Sequence, residues 1–219
     1  MSLKLDPRLS SKFPGLSARI AYICGVHIEE RRPELEAFRK NVLDEATKRW
    51  NVEELKDNPV FRAYRDFFWK VKVDPTKTRP AAEALLRRVL RGNPLPTINT
   101  LVDAYNLASV STSIPFGAFD TDRMRGEPLM REASPGEEFL GIGMDRPVQL
   151  GGGEAVIQDD ERLIAVYPYR DADYSKVTAS TRNLLLLTCG VPGIGDEQLR
   201  AAEAVGVEYI TRFCGGAAS

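Results

Sequence analysis

Four polar side chains crowd one short stretch of the chain, NTLVDAYNLASVSTSIPFGAFDTD at residues 99–122: Asp103, Asn106, Asp120 and Asp122. Asn and Asp are poor helix formers because their side chains compete for backbone hydrogen bonds. Asp103 and Asn106, three apart, share one helix face a turn apart, while Leu101, Val102 and Tyr105 mark the buried side. Two such residues on one face require partners from another segment. After Ser113-Ile114-Pro115 breaks the helix, FGAFD reads as a short strand end that delivers Asp120 beside it. No metal is expected here, since an aspartate pair lacks the histidines and further carboxylates of a metal site.

A second polar concentration is RDADYSKVTAST, residues 170–181, with Arg170, Asp171, Asp173, Ser175, Lys176, Thr178 and Thr181 and hardly any apolar anchor beyond Tyr174 and Val177. It reads as a loop between buried strands, either functional or a solvated turn. A third is basic. From Lys70 to Arg91 the chain carries Lys70, Lys72, Lys77, Arg79, Arg87, Arg88 and Arg91 against only Asp74 and Glu83, which is either a solvated helix face or a phosphate-contacting one. His27, the only histidine, has no acidic partner nearby in sequence and reads as a surface or hydrogen-bonded side chain. Cys24, Cys189 and Cys214 lack the close spacing of a zinc or disulfide framework and read as buried reduced thiols.

The elements that must position these residues follow from periodicity. Ile20, Tyr22, Cys24, Val26 and Ile28 share one parity, as in a half-buried strand. Pro33 opens a helix with Leu35, Phe38, Val42 and Ala46 in one stripe, and the aromatic stripe Phe61, Tyr64, Phe67 and Phe68 marks a second helix that packs in the core. PAAEALLRRVLRG forms a third, stopped at Gly92. From Pro128 on, PLMREA, EEFLGIG, RPVQL, AVIQDD and RLIAVYPY are strand-length and divided by turn residues, which predicts an antiparallel meander. NLLLLTCGV is a continuous apolar run, hence a central strand covered on both faces, and a last helix runs from Asp196 to Gly215-Gly216.

Composition bounds the class. At 219 residues with 43% hydrophobic content the chain buries a real core, and we expect a single domain over residues 1–219, with an N-terminal strand and helices over 1–75 and the rest over 76–219. A net charge of −1 speaks against a protein whose main task is holding nucleic acid through a strongly positive whole-molecule field, though it leaves room for a local basic patch, and no DNA partner is expected. No apolar run reaches the length of a membrane span, and the first residues lack a signal-peptide centre, so a soluble, cytoplasmic protein with no membrane partner is expected.

PTINTLVDAYNLASVSTSIPFGAFDTDRMRG, followed by MREASPGEEFL and AVIQDDE, resembles the tRNA-editing module formed by the third and fourth domains of the bacterial phenylalanyl-tRNA synthetase β subunit. Asn99, Val102, Asp103, Asn106, Pro115, Ala118, Phe119, Asp120, Asp122, Arg131, Gly136, Glu137, Ile157 and Asp159 match that pattern in order, over roughly residues 76–190. The resemblance implies an α+β fold, a three-layer β/β/α sandwich with a mixed, largely antiparallel sheet, agreeing in class with the helices-then-strands reading. It also implies a free-standing module that hydrolyses mischarged aminoacyl-tRNA in a pocket between the sheet and the helix bearing Asp103 and Asn106, with Asp120 bracing that pocket.

Two departures stand out. The family's histidine before Ala-Phe-Asp is Gly117 here, and its Gly-Gly-Glu turn is replaced by YPYRDADYSKVT, so the family's tyrosine specificity does not carry over. An aminoacyl ester is already activated, so orientation, one placed water and oxyanion stabilisation suffice for hydrolysis without an imidazole. For that chemistry we expect Arg170 as the cation with Thr178 and Thr181 positioning water. Substrate binding would fall to Arg79, Asn99, Asp103, Asn106, Gly117, Asp120, Asp171 and Lys176, with Asp103 and Asp171 gripping the α-amino group. Lys77, Arg87, Arg88 and Arg91 would touch RNA. The expected partner is aminoacyl-tRNA, bound weakly and transiently, and no cofactor is expected. A non-catalytic module binding RNA, an amino acid or a small ligand, or a protein-interaction module, are the alternatives.

Overall fold

Leu184, Leu185, Leu186 and Leu187 are all essentially withdrawn from solvent, which is what an apolar run without alternation requires. In the computed structural model, which describes residues 1–219, they belong to a strand at the centre of the molecule. The elements in chain order are β1 (Lys4–Leu5), α1 (Pro7–Lys12), β2 (Ala18–Cys24), α2 (Pro33–Arg49), α3 (Pro59–Lys70), α4 (Ala81–Leu90), α5 (Thr100–Thr112), β3 (Phe116–Asp120), β4 (Leu129–Glu132), β5 (Glu138–Phe139), β6 (Val148–Gln149), β7 (Ala155–Gln158), β8 (Leu163–Val166), β9 (Arg170–Asp171), β10 (Asn183–Cys189), α6 (Asp196–Cys214) and β11 (Ala217–Ala218).

Two sheets face each other across one core. The first is antiparallel, in the order β11-β2-β10-β3, with Leu186 opposite both Ala21 of β2 and Ala118 of β3. The second runs β1-β4-β7-β8-β9 and is mixed because β1 joins β4 in parallel. Helix α6 covers the far side of the first sheet: a Cβ at Gly206 would lie 3.1 Å from Leu186 and 2.8 Å from Phe116. The absent side chain there lets helix and sheet approach. Alternate residues of β10 point the other way, so Leu187 and Cys189 look into the space between the sheets. The fold is thus α+β, with layers of sheet, sheet and helix.

Several sequence expectations change with this packing. Strand β2 is covered on both faces, with Ala18, Ile20, Ala21 and Ile23 all buried, so its parity does not separate a wet face from a dry one. It also ends at Cys24, because Gly25 turns the chain with φ +76°. Cys24 is exposed, unlike Cys189 and Cys214. The predicted meander is interrupted: β5 and β6 pair only with each other, as a hairpin between β4 and β7. Arg131 of β4 anchors that hairpin with two hydrogen bonds to Glu137, 2.5 and 2.9 Å long. Finally, residues 170–181 are not simply a loop, since Arg170–Asp171 add β9 to the edge of the second sheet.

Candidate active site between the sheets

Helix α5 starts where the Asn99 side chain accepts a hydrogen bond from Val102 N at 2.9 Å, satisfying one orphan donor of the first turn. It stops at Ser113, left-handed with φ 65°, and Pro115 two residues on cannot continue a helix. The chain therefore doubles back into β3, and the C-terminal half of α5 lies beside the first residues of that strand. Here Asn106, Tyr105 and Gly117 line one cavity of about 210 Å³, closed on the opposite side by Val166, Tyr169, Arg170 and Asp171 and at its base by Leu187 and Cys189. Its size lies below the ~300–1,000 Å³ of pockets for drug-sized ligands and suits a group of amino-acid dimensions.

Asp171 is the polar group placed most tellingly. A Cβ at Gly117 would stand 3.2 and 3.3 Å from its two carboxylate oxygens. Burial pushes its carboxyl up to about 7, against the pull of the neighbouring Arg170 charge. A half-buried acid whose carboxyl is raised in a cleft is a candidate functional residue. Tyr105 is raised as well, by burial and then by the negative charges of Asp171 and Asp103. Arg170 borders the cavity, but its guanidinium turns aside: a Cβ at Gly141 would meet its stem at 2.6 Å, and Nη1 donates to Ile142 O at 3.2 Å.

Other expected site residues are spent elsewhere. Asp103 is buried, not on an open face, and accepts from Arg39 Nη2 at 2.6 Å and from Ile98 N at 3.0 Å. Burial raises its carboxyl despite those two partners. It ties α5 to α2 behind the cavity wall. Asp120 sits three residues beyond Gly117, roughly 10 Å along the strand, and accepts from Thr181 Oγ1 at 2.6 Å and Asp122 N at 3.1 Å. Thr178 N donates to Thr181 Oγ1. Both threonines therefore fasten the 178–181 turn to the end of β3, outside the cavity. Lys176 pairs with Asp173 at 2.6 Å.

Arg79 is exposed and does not reach the cavity; it lines a separate surface depression with Arg87, Arg88, Arg91 and Asn93. Within that patch Arg87 is bound to Glu83 at 2.6 Å, and Arg88 Nε donates to Pro94 O. Lys77 is exposed near the preceding turn. His27 is exposed as expected. The sequence called for a partner to Asp103 but could not name Arg39, 64 residues away, and it gave no sign of the wall residue Tyr169.

Comparison with known proteins places the chain in a family. The family model of the B3/4 domain matches residues 63–201. The phenylalanine-tRNA ligase beta subunit of Psychrobacter arcticus is 34% identical over 104 residues, and that of Fusobacterium nucleatum 31% over 102, covering 48% and 46% of this chain. The matched stretch is 12% of each relative's length, so the chain corresponds to a small part of those subunits. No helix is long and apolar enough to cross a membrane. Across 99% of the chain the fold superposes, with TM-score 0.52 and 12% identity, on 49% of an N-terminal fragment of the phenylalanyl-tRNA synthetase beta subunit from Pyrococcus horikoshii. The chain belongs to the B3/4 domain family.

Proposed function

We propose that this protein hydrolyses the ester of a mischarged aminoacyl-tRNA, acting in trans on tRNA charged by a separate synthetase. The observation that carries this reading is the convergence of Asn106, Asp171 and the edge residue Arg170 with Gly117 on one amino-acid-sized cavity between the sheets. The names of the curated relatives, phenylalanine-tRNA ligase beta subunits, support it. The aminoacyl group enters the cavity, Asn106 offers an amide to the ester, and Arg170, whose guanidinium binds Ile142 O, keeps a positive charge near the rim. Because the ester is activated, fixing it against one water supplies the rate.

A binding-only role is favoured by one observation. Thr178 and Thr181, which would place the water, are instead bonded to each other's segment and to Asp120. Incubation of the chain with a panel of mischarged tRNAs separates the two. Release of the amino acid from at least one, above the spontaneous rate, supports hydrolysis; protection of the ester at saturating protein overturns it.

A further inference from the structure

We propose that the cavity recognises a primary ammonium group, and that Asp171 is the residue that receives it. The inference rests on the deacylation reading insofar as the α-ammonium of an aminoacyl ester is the expected source; a free amino acid or simple amine carries the same chemistry.

Alternation along β9 separates its two side chains. Arg170 pairs with Val166, which packs in the small outer cluster, whereas Asp171 pairs with Ala165 in the main core. The carboxylate therefore enters between the sheets while its neighbour's guanidinium crosses Gly141 on the other face and binds Ile142 O. Gly117 completes the arrangement. With any side chain at 117 the carboxylate oxygens, 3.2 and 3.3 Å from the Cβ position, would be displaced. The missing side chain and the carboxylate are complementary in space.

The carboxylate also lacks a partner. No cation lies within ion-pair distance, and the Arg170 charge acts on it only from farther away. From α5 the titratable group nearest to it is Tyr105 and from β10 it is Cys189, both neutral at physiological pH and both sensing its charge. Asp171 is half-buried, and an ionised carboxylate has about four acceptor positions, which no protein group fills here. A ligand that brings both a positive charge and several donors fills those positions, and an ammonium brings three N–H groups. An anion would be repelled. A metal ion would find a single carboxylate, too few ligands for a hard cation.

The test is isothermal titration of the 219-residue chain with 3′-aminoacylamido-3′-deoxyadenosines, whose amide cannot be released as an ester is, and with the matching free amino acid amides. Each is compared with its N-acetylated form. For the wild type, acetylation removes the charge and is expected to weaken binding about tenfold or more. Asp171→Asn, which keeps the shape, should bind charged and acetylated forms within about threefold of each other. Acetylated compounds that bind the wild type as tightly as free ones, an Asn variant that keeps the preference, or no binding of any amine would overturn the inference. If the variant does not fold, the acetylation comparison on the wild type decides alone. Ammonium preference among the free amides only would keep the ammonium site and discard the ester reading. Deacylation of tRNA that proceeds equally well on N-acetylated substrate would keep the ester reading and discard the ammonium site.

Discussion

Asp171 occupies the space beside β3 that a side chain at position 117 would claim: its carboxylate oxygens lie 3.2 and 3.3 Å from where a Cβ on Gly117 would stand. Gly117 has no left-handed backbone, so a substitution there is resisted by this close approach rather than by conformational strain. Gly117→Ala should cost about 1 kcal/mol, roughly 2–4 °C in melting temperature, as the carboxylate swings into the cavity. Gly117→His fills the cavity itself, and single-turnover deacylation should fall about tenfold or more as substrate is shut out. A histidine variant that gains activity would reverse this picture and favour an imidazole-dependent mechanism in the same pocket.

Asp171 also sets a pH dependence of stability. Its carboxyl is pushed up to about 7 in the folded protein by burial, whereas an unfolded Asp titrates near 4. Between those values the folded chain holds more protons at this position than the unfolded chain does, so its contribution is largest below about pH 4 and is lost as pH rises through about 7. Asp171→Asn removes that loss. Without ligand, the variant should melt close to wild type near pH 4 and above it at pH 8, by about 2–4 °C for each kcal/mol recovered. A gap that does not widen with pH between 4 and 8 would mean that the carboxylate is solvated.

Glu83 supplies the opposite sign. It is wholly buried between Arg65, at 2.6 and 2.8 Å, and Arg87, at 2.6 Å. Burial pushes its carboxyl up, but the hydrogen bonds and charges of the two arginines hold it below the usual value. The stabilisation is present above the unfolded pKa and lost as pH falls through the folded one. Glu83→Ala strands two arginines near the α3–α4 packing and should cost about 3–5 kcal/mol, on the order of 10 °C. Thermal unfolding at pH 7 measures it, and a loss under about 1 kcal/mol would show that water replaces the carboxylate.

What the sequence disclosed and what it hid divide along a physical line. The run of leucines in β10 and the aromatic stripe of α3 are local patterns, and each produced the element expected; the turn signals after Pro128 gave strands, but β5 and β6 pair apart from the meander they were expected to join. Asn106, Gly117, Arg170 and Asp171 could be placed in one pocket only through the family resemblance, because nothing local says that residue 117 lies beside residue 171. Arg79, Thr178 and Thr181 were drawn into the site for being polar and otherwise unexplained. The structure gives them other surroundings, a surface basic patch for the arginine and the Asp120 turn for the threonines. Two-residue strands such as β1 and β9 are set by their neighbours in the sheet, and their own residues carry no alternation to detect.

RNA affinity should reside in a narrower set of arginines than charge counting implies. Arg79, Arg88 and Arg91 line one surface depression, whereas Arg87 is engaged by Glu83. Neutralising Arg79, Arg88 and Arg91 to Gln should weaken tRNA binding and flatten the dependence of log K on log salt, by up to about one unit for each phosphate no longer neutralised. Arg87→Gln should act mainly through stability, leaving that slope unchanged. Binding measured at several salt concentrations checks both, and an unchanged slope in the triple variant would assign RNA binding to another face.

The roles of His27 and Arg170 can be separated by single-turnover kinetics. His27 is exposed at the end of β2, its backbone N donating to Cys214 O at 2.7 Å, and does not line the cavity. His27→Ala should leave deacylation within about threefold of wild type, since orientation and electrostatics supply the rate. Arg170 has two tasks at the rim: it holds Ile142 O and keeps a positive charge beside the cavity mouth. Removing it should cost one charge-assisted hydrogen bond, about 1.5–3 kcal/mol, which is roughly ten- to 150-fold in rate or affinity. Arg170→Lys keeps the charge but not the planar fork, so it should recover part of the loss if charge dominates and little if the hold on Ile142 does. A dead His27 variant beside a normal Arg170→Ala would move the reaction centre out of the space between the sheets, to the surface where β2 ends.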